Sequence, residues 1–516
     1  MGKKPARIID VLITGGLFVL ALAVRLNKLE VITPGMWGDE ITVGKMAEQL
    51  WSMNRLTPFI NVNYGHSTPL LYLTGLVINF WGRSMISIRL VSVVFGALSV
   101  GLLYVLLRLF FKPIIAGVAT TMMLFSYAHI IISRFGYEMT AAMFFQILTV
   151  ICLYLAYRTK KYPYYLAVGI GIGLGLFTYL GFRTIAVALV LLSLFSLKQL
   201  PLWKQRLTSL GLIIVPMLII ISPLINYGIK HPGQLWKRAR VISVFHQDLP
   251  KNEVIKELTG STKRTLGMFW TTGDPNPRQN PAFTTMFDKL TVIIVFLGLV
   301  TLFKKNKRFL AASLLLAVIA LMNDIFAIER IPEGHYYGLG HPNTLRVFAI
   351  IPIVYFWSAW GLKGIKAFCS KFDKQLYVLM FSIMAIIIIS INWSWYFDQP
   401  ISDFNYLVNG ADKIKLVRLI NQSQEKIVFA SPSIIRDARV EYLVKKNIRL
   451  EPFILKEGEF SSDDLPQGGL ILIDVKENPD YAQSLIDRSQ ELAPELMVMV
   501  EKDPWQRIEA LVIKRN

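Results

Sequence analysis

The stretch IIDVLITGGLFVLALAVRLNKL (residues 8–29), running directly into EVITPGMWGDE (residues 30–40), decides the fold. Its first part supplies the about 20 apolar residues that a membrane-crossing helix needs, and it follows Lys3, Lys4 and Arg7. No small-residue cleavage site follows and further spans do, so it reads as a retained helix rather than a signal peptide. The second part is a turn-rich exit in which Trp37 suits the headgroup region and two adjacent acids, Asp39 and Glu40, sit at the membrane face. Carboxylates in that place point to function.

Composition agrees with a membrane protein. Hydrophobic residues make up 53% of 516 and aromatics 12%, with a mean hydropathy of +0.47, which is more apolar surface than a chain in water can bury. Hydropathy picks out about 11 transmembrane helices: residues 8–29, 86–110, 114–132, 141–157, 165–180, 185–197, 207–227, 290–303, 309–327, 345–362 and 376–393. The expected fold class is therefore an α-helical polytopic membrane protein.

Lys and Arg cluster on alternate connections, at Arg108 and Lys112, Arg158 to Lys161, Lys198 to Arg206, Lys304 to Arg308, and Lys363 to Lys374. By the positive-inside rule those loops and the N-terminus are cytoplasmic. An odd span count then puts the Asp39–Glu40 loop, residues 134–138, 228–289 and 328–344, and everything after Trp393 outside. The net charge of +20 is accounted for by inner loops facing anionic lipid, and no nucleic-acid partner is expected. Cys152 and Cys369 lie in a span and an inner loop, so neither a disulfide nor a cysteine metal site is expected.

From residue 398 charges rise, and short apolar runs (427–430, 469–475, 511–513) alternate with helical patterns (432–444, 481–492). That is a small soluble α/β domain over 398–516, following a transmembrane domain over 1–397 whose first outer loop, 30–85, carries the acidic motif. The tail has no glycine-rich phosphate loop or nucleophile motif, which suits a structural or acceptor-recruiting role.

Several side chains can do chemistry. Asp39 could take a proton from a hydroxyl nucleophile; equally, the acid pair could complement the dipole of a helix over 41–51. In YGHSTPLLY (residues 64–72), Pro69 opens an apolar helix ending near Trp81–Gly82, too short to cross and suited to the interface. His66 then faces the same aqueous pocket as Asp39, or caps or stacks. Arg89, at the outer end of the second span, needs a partner, either a carboxylate or an anionic headgroup. Arg134 and Glu138 in SRFGYE (residues 133–138), Arg183 after the fifth span and Arg346 opening the tenth return charge to the same face. Together the arginines could form a phosphate site; singly, each suits a snorkelling anchor. Trp236 to Arg240 and Trp270 to Asp274 could stack on carbohydrate or anchor to headgroups. His66 with Asp39, Glu40 or Glu138 could hold a cation, but no close-spaced ligand motif calls for one, so no metal or other cofactor is expected to be required.

In this order, Trp37-Gly38-Asp39-Glu40, the stretch from His66 to Tyr72, Gly82-Arg83-Ser84 through Arg89-Leu90 to Phe95-Gly96, and Ser133-Arg134 to Glu138 form an ordered set. By these motifs the chain resembles glycosyltransferase family 39, a GT-C group related to protein O-mannosyltransferases and lipid A aminoarabinose transferases. The resemblance covers roughly residues 8–400. It implies an enzyme that moves one mannose-like or pentose-like sugar from a polyprenyl-phosphate carrier to an acceptor hydroxyl of a protein, lipid or glycan at the outer face, with inversion. It also implies Asp39 as general base, Glu40 as a neighbour shaping the pocket, Arg89 as ligand to the lipid phosphate and Glu138 as a second acid. The chain departs from its relatives where His66-Ser67-Thr68-Pro69 replaces His or Lys followed by two prolines, and where Glu138 stands for Asp. A transporter or flippase of a polyprenyl-phosphate sugar or lipid is the competing class. Such proteins place polar groups near the midplane within paired repeats, whereas here the acids gather at one face and no repeat is visible.

Overall fold

The computed structural model describes residues 4–53, 55–246, 248–276, 281–328, 341–370, 372, 375–399, 401–454, 470–477, 479–489 and 496–515. Two compact units result: Met1–Ile32 with Met46–Pro400, and Thr33–Lys45 with Ile401–Asn516. The loop segment 33–45, which the sequence reading groups with the membrane part, therefore clusters with the C-terminal unit.

The first unit begins with α1 (Lys4–Leu26) and takes up the second half of α2 (Gly38–Ser52). A hairpin of β1 (Phe59–Ile60) and β2 (His66–Ser67) leads to α3 (Pro69–Trp81), α4 (Met85–Arg108), α5 (Pro113–Phe125), α6 (Tyr127–Arg134) and α7 (Met139–Thr159). Then come α8 (Tyr162–Gly175), α9 (Phe182–Leu197), α10 (Trp203–Lys230), α11 (Lys237–Ile242), α12 (Lys251–Gly267), α13 (Lys289–Lys305), α14 (Lys307–Ile325), α15 (Ile351–Cys369) and α16 (Leu376–Trp393).

Seven described helical stretches are long and apolar enough to cross a membrane: Ile8–Leu26, Met85–Arg108, Met139–Thr159, Trp203–Lys230, Lys307–Ile325, Phe348–Cys369 and Leu376–Asp398. The α5–α6 pair, bent by 55°, makes an eighth if counted as one span. The other three hydropathy stretches are helices too, but α8, α9 and α13 have only 14, 16 and 17 residues. Hydropathy detects an apolar run without fixing how much of it is helical, hence the difference between about 11 expected spans and seven or eight by length. The chain is a multi-pass membrane protein.

Two local features explain how these helices fit together. The α5–α6 break leaves the Tyr127 N–H without an intrahelical acceptor, and it donates to Asn392 Oδ1 at 2.8 Å. Asn392 Nδ2 in turn donates to Asp288 Oδ2 at 2.9 Å, and Asp288 caps α13 by accepting from the Thr291 N–H at 2.8 Å. A bend inside an apolar bundle is thus stabilised by a polar chain that satisfies the exposed backbone. Close approach is handled by glycine: a Cβ on Gly298 would lie 1.9 Å from Trp357 O, and one on Gly361 2.1 Å from Ile294 O. Without these two small residues α13 and α15 could not pack backbone to backbone.

The second unit contains α17 (Asp403–Val408), α18 (Ala411–Gln422), β3 (Ile427–Ala430), α19 (Pro432–Ile435), α20 (Ala438–Leu443), β4 (Arg449–Pro452), β5 (Leu470–Asp474), α21 (Pro479–Asp487), β6 (Leu496–Lys502) and β7 (Ile508–Arg515). Its sheet has the order β4-β3-β5-β7-β6, parallel from β4 to β5 and antiparallel through β7 to β6. Ile471, Ile473, Leu485, Leu511 and Ile513 form its core. The helical pattern expected over 432–444 is two short helices, because Asp437 accepts from the Arg439 N–H at 2.8 Å and starts a new one.

Candidate functional site

A helix C-terminus leaves four carbonyls without intrahelical donors and carries the negative end of the helix dipole. The end of α1 and the turn after it are filled by arginines. Arg134, 3% exposed, donates from Nη1 to Arg25 O and Asn27 O at 2.8 and 2.5 Å. From Nη2 it donates to Lys28 O and Ile32 O at 2.9 and 2.6 Å, and from Nε to the Tyr396 hydroxyl at 3.0 Å. All five of its N–H donors are directed at protein oxygens. Arg89 joins the same carbonyl cluster through Nη1 to Leu29 O at 2.8 Å. Arg25 donates to Ala21 O and Leu124 O, both at 3.0 Å, and meets His129 Nδ1 at 2.5 Å. One partner that Arg89 finds is a main-chain carbonyl, a partner type that the sequence reading of Arg89 did not include.

His66 lies on β2, opposite Ile60. The hairpin turns tightly through Asn63, Tyr64 and Gly65, all at positive φ; a Cβ on Gly65 would stand 2.3 Å from the Phe59 ring. This fixes His66 Nδ1 at 3.2 Å from Glu138 Oε1, with both side chains 7% exposed. If Nδ1 donates to Glu138, Nε2 of the neutral ring is an acceptor. Nε2 is buried and, among the described residues, has no hydrogen-bond partner. Glu138 is positioned by its neighbours: Ser92 Oγ donates to Tyr137 O at 2.6 Å and accepts from the Tyr137 N–H at 3.0 Å. An aromatic row continues from His66, with centroid separations of 5.6 Å to Tyr137, 6.1 Å from Tyr137 to Tyr179 and 5.6 Å from Tyr179 to Phe348.

Arg183 and Arg346 have other partners. Arg183 donates to Leu235 O at 2.5 Å and stacks over Trp236 at 4.8 Å. Arg346 lies 3.6 Å from Asp324, a fully buried acid near the end of α14 that the sequence reading passed over. Asp324 accepts from Thr265 Oγ1 at 2.8 Å and the Asn343 N–H at 3.2 Å. His341 Nε2 stands 3.3 Å from the Asp324 carboxylate, and Arg264 Nε donates to His341 Nδ1 at 3.3 Å. Burial holds the His341 pKa below its ordinary value even though Asp324 pulls the other way, which keeps the imidazole neutral and able to accept at Nδ1. The signal for Asp324 was a lone acid inside an apolar run. Arg89 and Arg134 thus meet main-chain carbonyls, Arg183 meets Leu235 and Trp236, and Arg346 lies near Asp324.

The acidic motif is described within the second unit. Glu40, 1% exposed, accepts the Trp37 N–H through Oε2 at 3.2 Å. This is the return half of a capping box at the start of α2, so the dipole-complementing alternative applies to Glu40. Asp39, one residue earlier, is half-buried. The approach to it is held by the C-terminal fold: the Met36 N–H donates to Asn409 O at 2.8 Å. Arg439 donates from Nε to Met36 O and from Nη2 to Val408 O, both at 3.0 Å, while Asp437 holds its Nη1 at 2.8 Å. Gly35, at φ +78°, makes this approach possible because a Cβ there would lie 2.2 Å from Asn409 O. Nothing in residues 33–45 alone signals this partner. Among the described residues no group of three or more His, Cys, Asp or Glu side chains converges as a metal-ligand set.

Comparison with known proteins gives one family match over part of the chain and several likenesses of fold. The family model of dolichyl-phosphate-mannose-protein mannosyltransferases matches residues 66–227, the segment that carries His66, Arg89, Arg134, Glu138 and Arg183. No curated protein matches the chain significantly by sequence. ArnT from Cupriavidus metallidurans bound to undecaprenyl phosphate is similar in structure, with a TM-score of 0.52 at 12% identity over 97% of each chain. The same protein in the apo state gives 0.50 at 13% identity, over 99% of this chain and 98% of ArnT. At such identity the likeness concerns the fold. The chain thus shares a fold with ArnT over nearly its whole length, and residues 66–227 match the mannosyltransferase family model.

Proposed function

We propose that the chain transfers a single mannose-like or pentose-like sugar from a polyprenyl-phosphate carrier to an acceptor hydroxyl at the outer membrane face, with inversion. The observation that carries this reading is the buried His66–Glu138 pair, with Arg89 in the same matched segment. A carbohydrate hydroxyl is the kind of donor that an unpartnered buried imidazole Nε2 accepts. The undecaprenyl phosphate bound to ArnT supports the carrier class.

In the proposed step the acceptor hydroxyl oxygen bonds to the anomeric carbon as the bond from that carbon to the phosphate oxygen breaks. The hydroxyl proton passes to Asp39 and the electron pair leaves with the polyprenyl phosphate, whose charge Arg89 offsets. Glu40 shapes the loop by capping α2. Arg134 acts on structure rather than on substrate, because its donors are already engaged by protein oxygens. The alternating basic loops support a cytoplasmic N-terminus and an extracytoplasmic C-terminal unit.

Transfer of radiolabelled sugar from a panel of polyprenyl-phosphate sugars to membranes tests the reading. Wild type should label the membranes, and folded Asp39→Asn should lose roughly 10²- to 10⁴-fold of the rate. Retained transfer by Asp39→Asn would remove Asp39 as base. Saturable polyprenyl-phosphate binding without transfer from any donor would favour a lipid transporter.

A further inference from the structure

The first unit contains a cavity of about 400 Å³ between α4, α7, α9, α14 and α15. It lies at the opposite end of α4 from Arg89: Leu106, in its wall, is 17 residues further on, or about 25 Å at 1.5 Å per residue. The volume is more than twice the ~150 Å³ of a cavity known to take up benzene. Its wall is mostly aromatic and aliphatic, with Gln146, Ser196, Gln199 and Ser313 as its uncharged polar residues apart from tyrosine. Phe110 packs 4.3 Å from Tyr154, 5.2 Å from Phe309 and 5.4 Å from Phe356, ring centroid to ring centroid.

Among the described residues the lining includes two cations, Lys198 and Arg308, and no acid. Both cations are exposed, and Lys198 Nζ sits 5.1 Å above the Phe195 ring, so its charge is carried at the edge of the apolar surface. An apolar cavity edged by exposed positive charge is complementary to a molecule with a hydrocarbon chain and an anionic head. Water would gain few hydrogen bonds from these walls, and a neutral lipid would leave both charges without a counter-ion.

We propose that this cavity binds one acyl chain of an anionic phospholipid, with the lipid phosphate between Lys198 and Arg308. The site is separate from the one proposed for sugar transfer and does not depend on that reading. A phospholipid suits it better than the polyprenyl-phosphate carrier, because a volume of about 400 Å³ is small beside a chain of many isoprene units. The basic loops that edge it also match the anionic leaflet.

The test is native mass spectrometry on the full-length protein in detergent, titrated with phosphatidylglycerol and with phosphatidylcholine of the same acyl chains. Wild type should retain phosphatidylglycerol preferentially. Lys198→Gln and Arg308→Gln should each weaken that retention about fivefold while leaving phosphatidylcholine unchanged. Ala312→Phe, which fills the cavity from α14 without touching the charges, should abolish uptake; circular dichroism and gel filtration report whether each variant is folded. Equal retention of the two lipids by wild type, or undiminished phosphatidylglycerol on folded Ala312→Phe, would overturn the proposal. So would displacement of phosphatidylglycerol by stoichiometric undecaprenyl phosphate, which would identify the carrier as the occupant.

Discussion

Arginine does different work at the two ends of α4. At the Arg89 end, Arg89 and Arg134 are buried and bound to the main-chain carbonyls that close α1. At the other end Arg108 is about a quarter exposed and forms a bidentate pair with Asp10, at 2.7 and 3.0 Å. A charge without bulk water loses stability for each donor left unmatched, since that part of the desolvation penalty is uncompensated. A charge near water can be held by one carboxylate and lose it cheaply. The lesson is that burial, not residue type, decides whether an arginine is part of the framework or an adaptable surface group.

The comparison is broken most directly at Arg134. Arg134→Ala would take the side-chain donor from the carbonyls of Arg25, Asn27 and Ile32, while Lys28 O keeps the Val31 and Ile32 N–H groups, and should destabilise the protein by about 3–5 kcal/mol. Arg134→Lys should recover little, because an ammonium cannot reproduce a five-donor fork. Thermal unfolding in detergent measures both; a loss under ~1 kcal/mol would show that the cluster is not a framework.

A second test asks whether the acidic loop is held in the same manner. Arg439→Ala frees Met36 O and Val408 O, with an expected cost of about 2 kcal/mol. If the transfer reading holds, the turnover should fall by on the order of tenfold through misplacement of Asp39, with faster hydrogen exchange at residues 36–40. Unchanged exchange there would disconnect Arg439 from the loop.

The third test uses pH. Asp474 is buried, and burial alone would raise its pKa, but the Lys413 ammonium at 2.7 Å and the Ser433 hydroxyl outweigh it, so the carboxyl titrates below its ordinary 3.8. A depressed carboxylate pKa stabilises the fold above 3.8, and that contribution is lost as pH falls through the folded value. Lys413 is partly buried, which lowers its pKa, yet Asp412 and Asp474 together hold it above 10.5, so its share is present below pH 10.5 and is lost as pH rises through the folded value. Asp474→Asn should therefore cost on the order of 1 kcal/mol at neutral pH and less under acid, when followed by denaturant unfolding at several pH values. An equal cost at every pH would assign the effect to packing.

The smallest effect belongs to Arg108→Ala, expected to cost about 1 kcal/mol or less and to shrink with added salt. A cost equal to that of Arg134→Ala would erase the distinction between the two ends.

Much of this was legible in order along the chain. Pro69 opening α3, the apolar runs that became β3 and β5, and the long spans all follow from local pattern. Strand β6, LMVMVEK, was missed because its alternation is weak, and its place is set by pairing with β7. Glu138 was visible as an acid, but its His66 partner is 72 residues away. Asp324 was hidden by the hydropathy of its own helix.

The sequence by itself determined that this is a polytopic helical membrane protein with a small α/β tail, because apolar length and periodicity are local properties read by lipid and water alike. It also determined which residues bear charge near the ends of those helices. Only the tertiary structure decided what each charge meets: that Arg134 closes α1, that Glu40 caps its own helix beside a half-buried Asp39, and that Arg439 holds the acidic loop. Those outcomes depend on groups up to 403 residues apart, and a hydrogen bond is set by distance and direction, which separation along the chain does not encode.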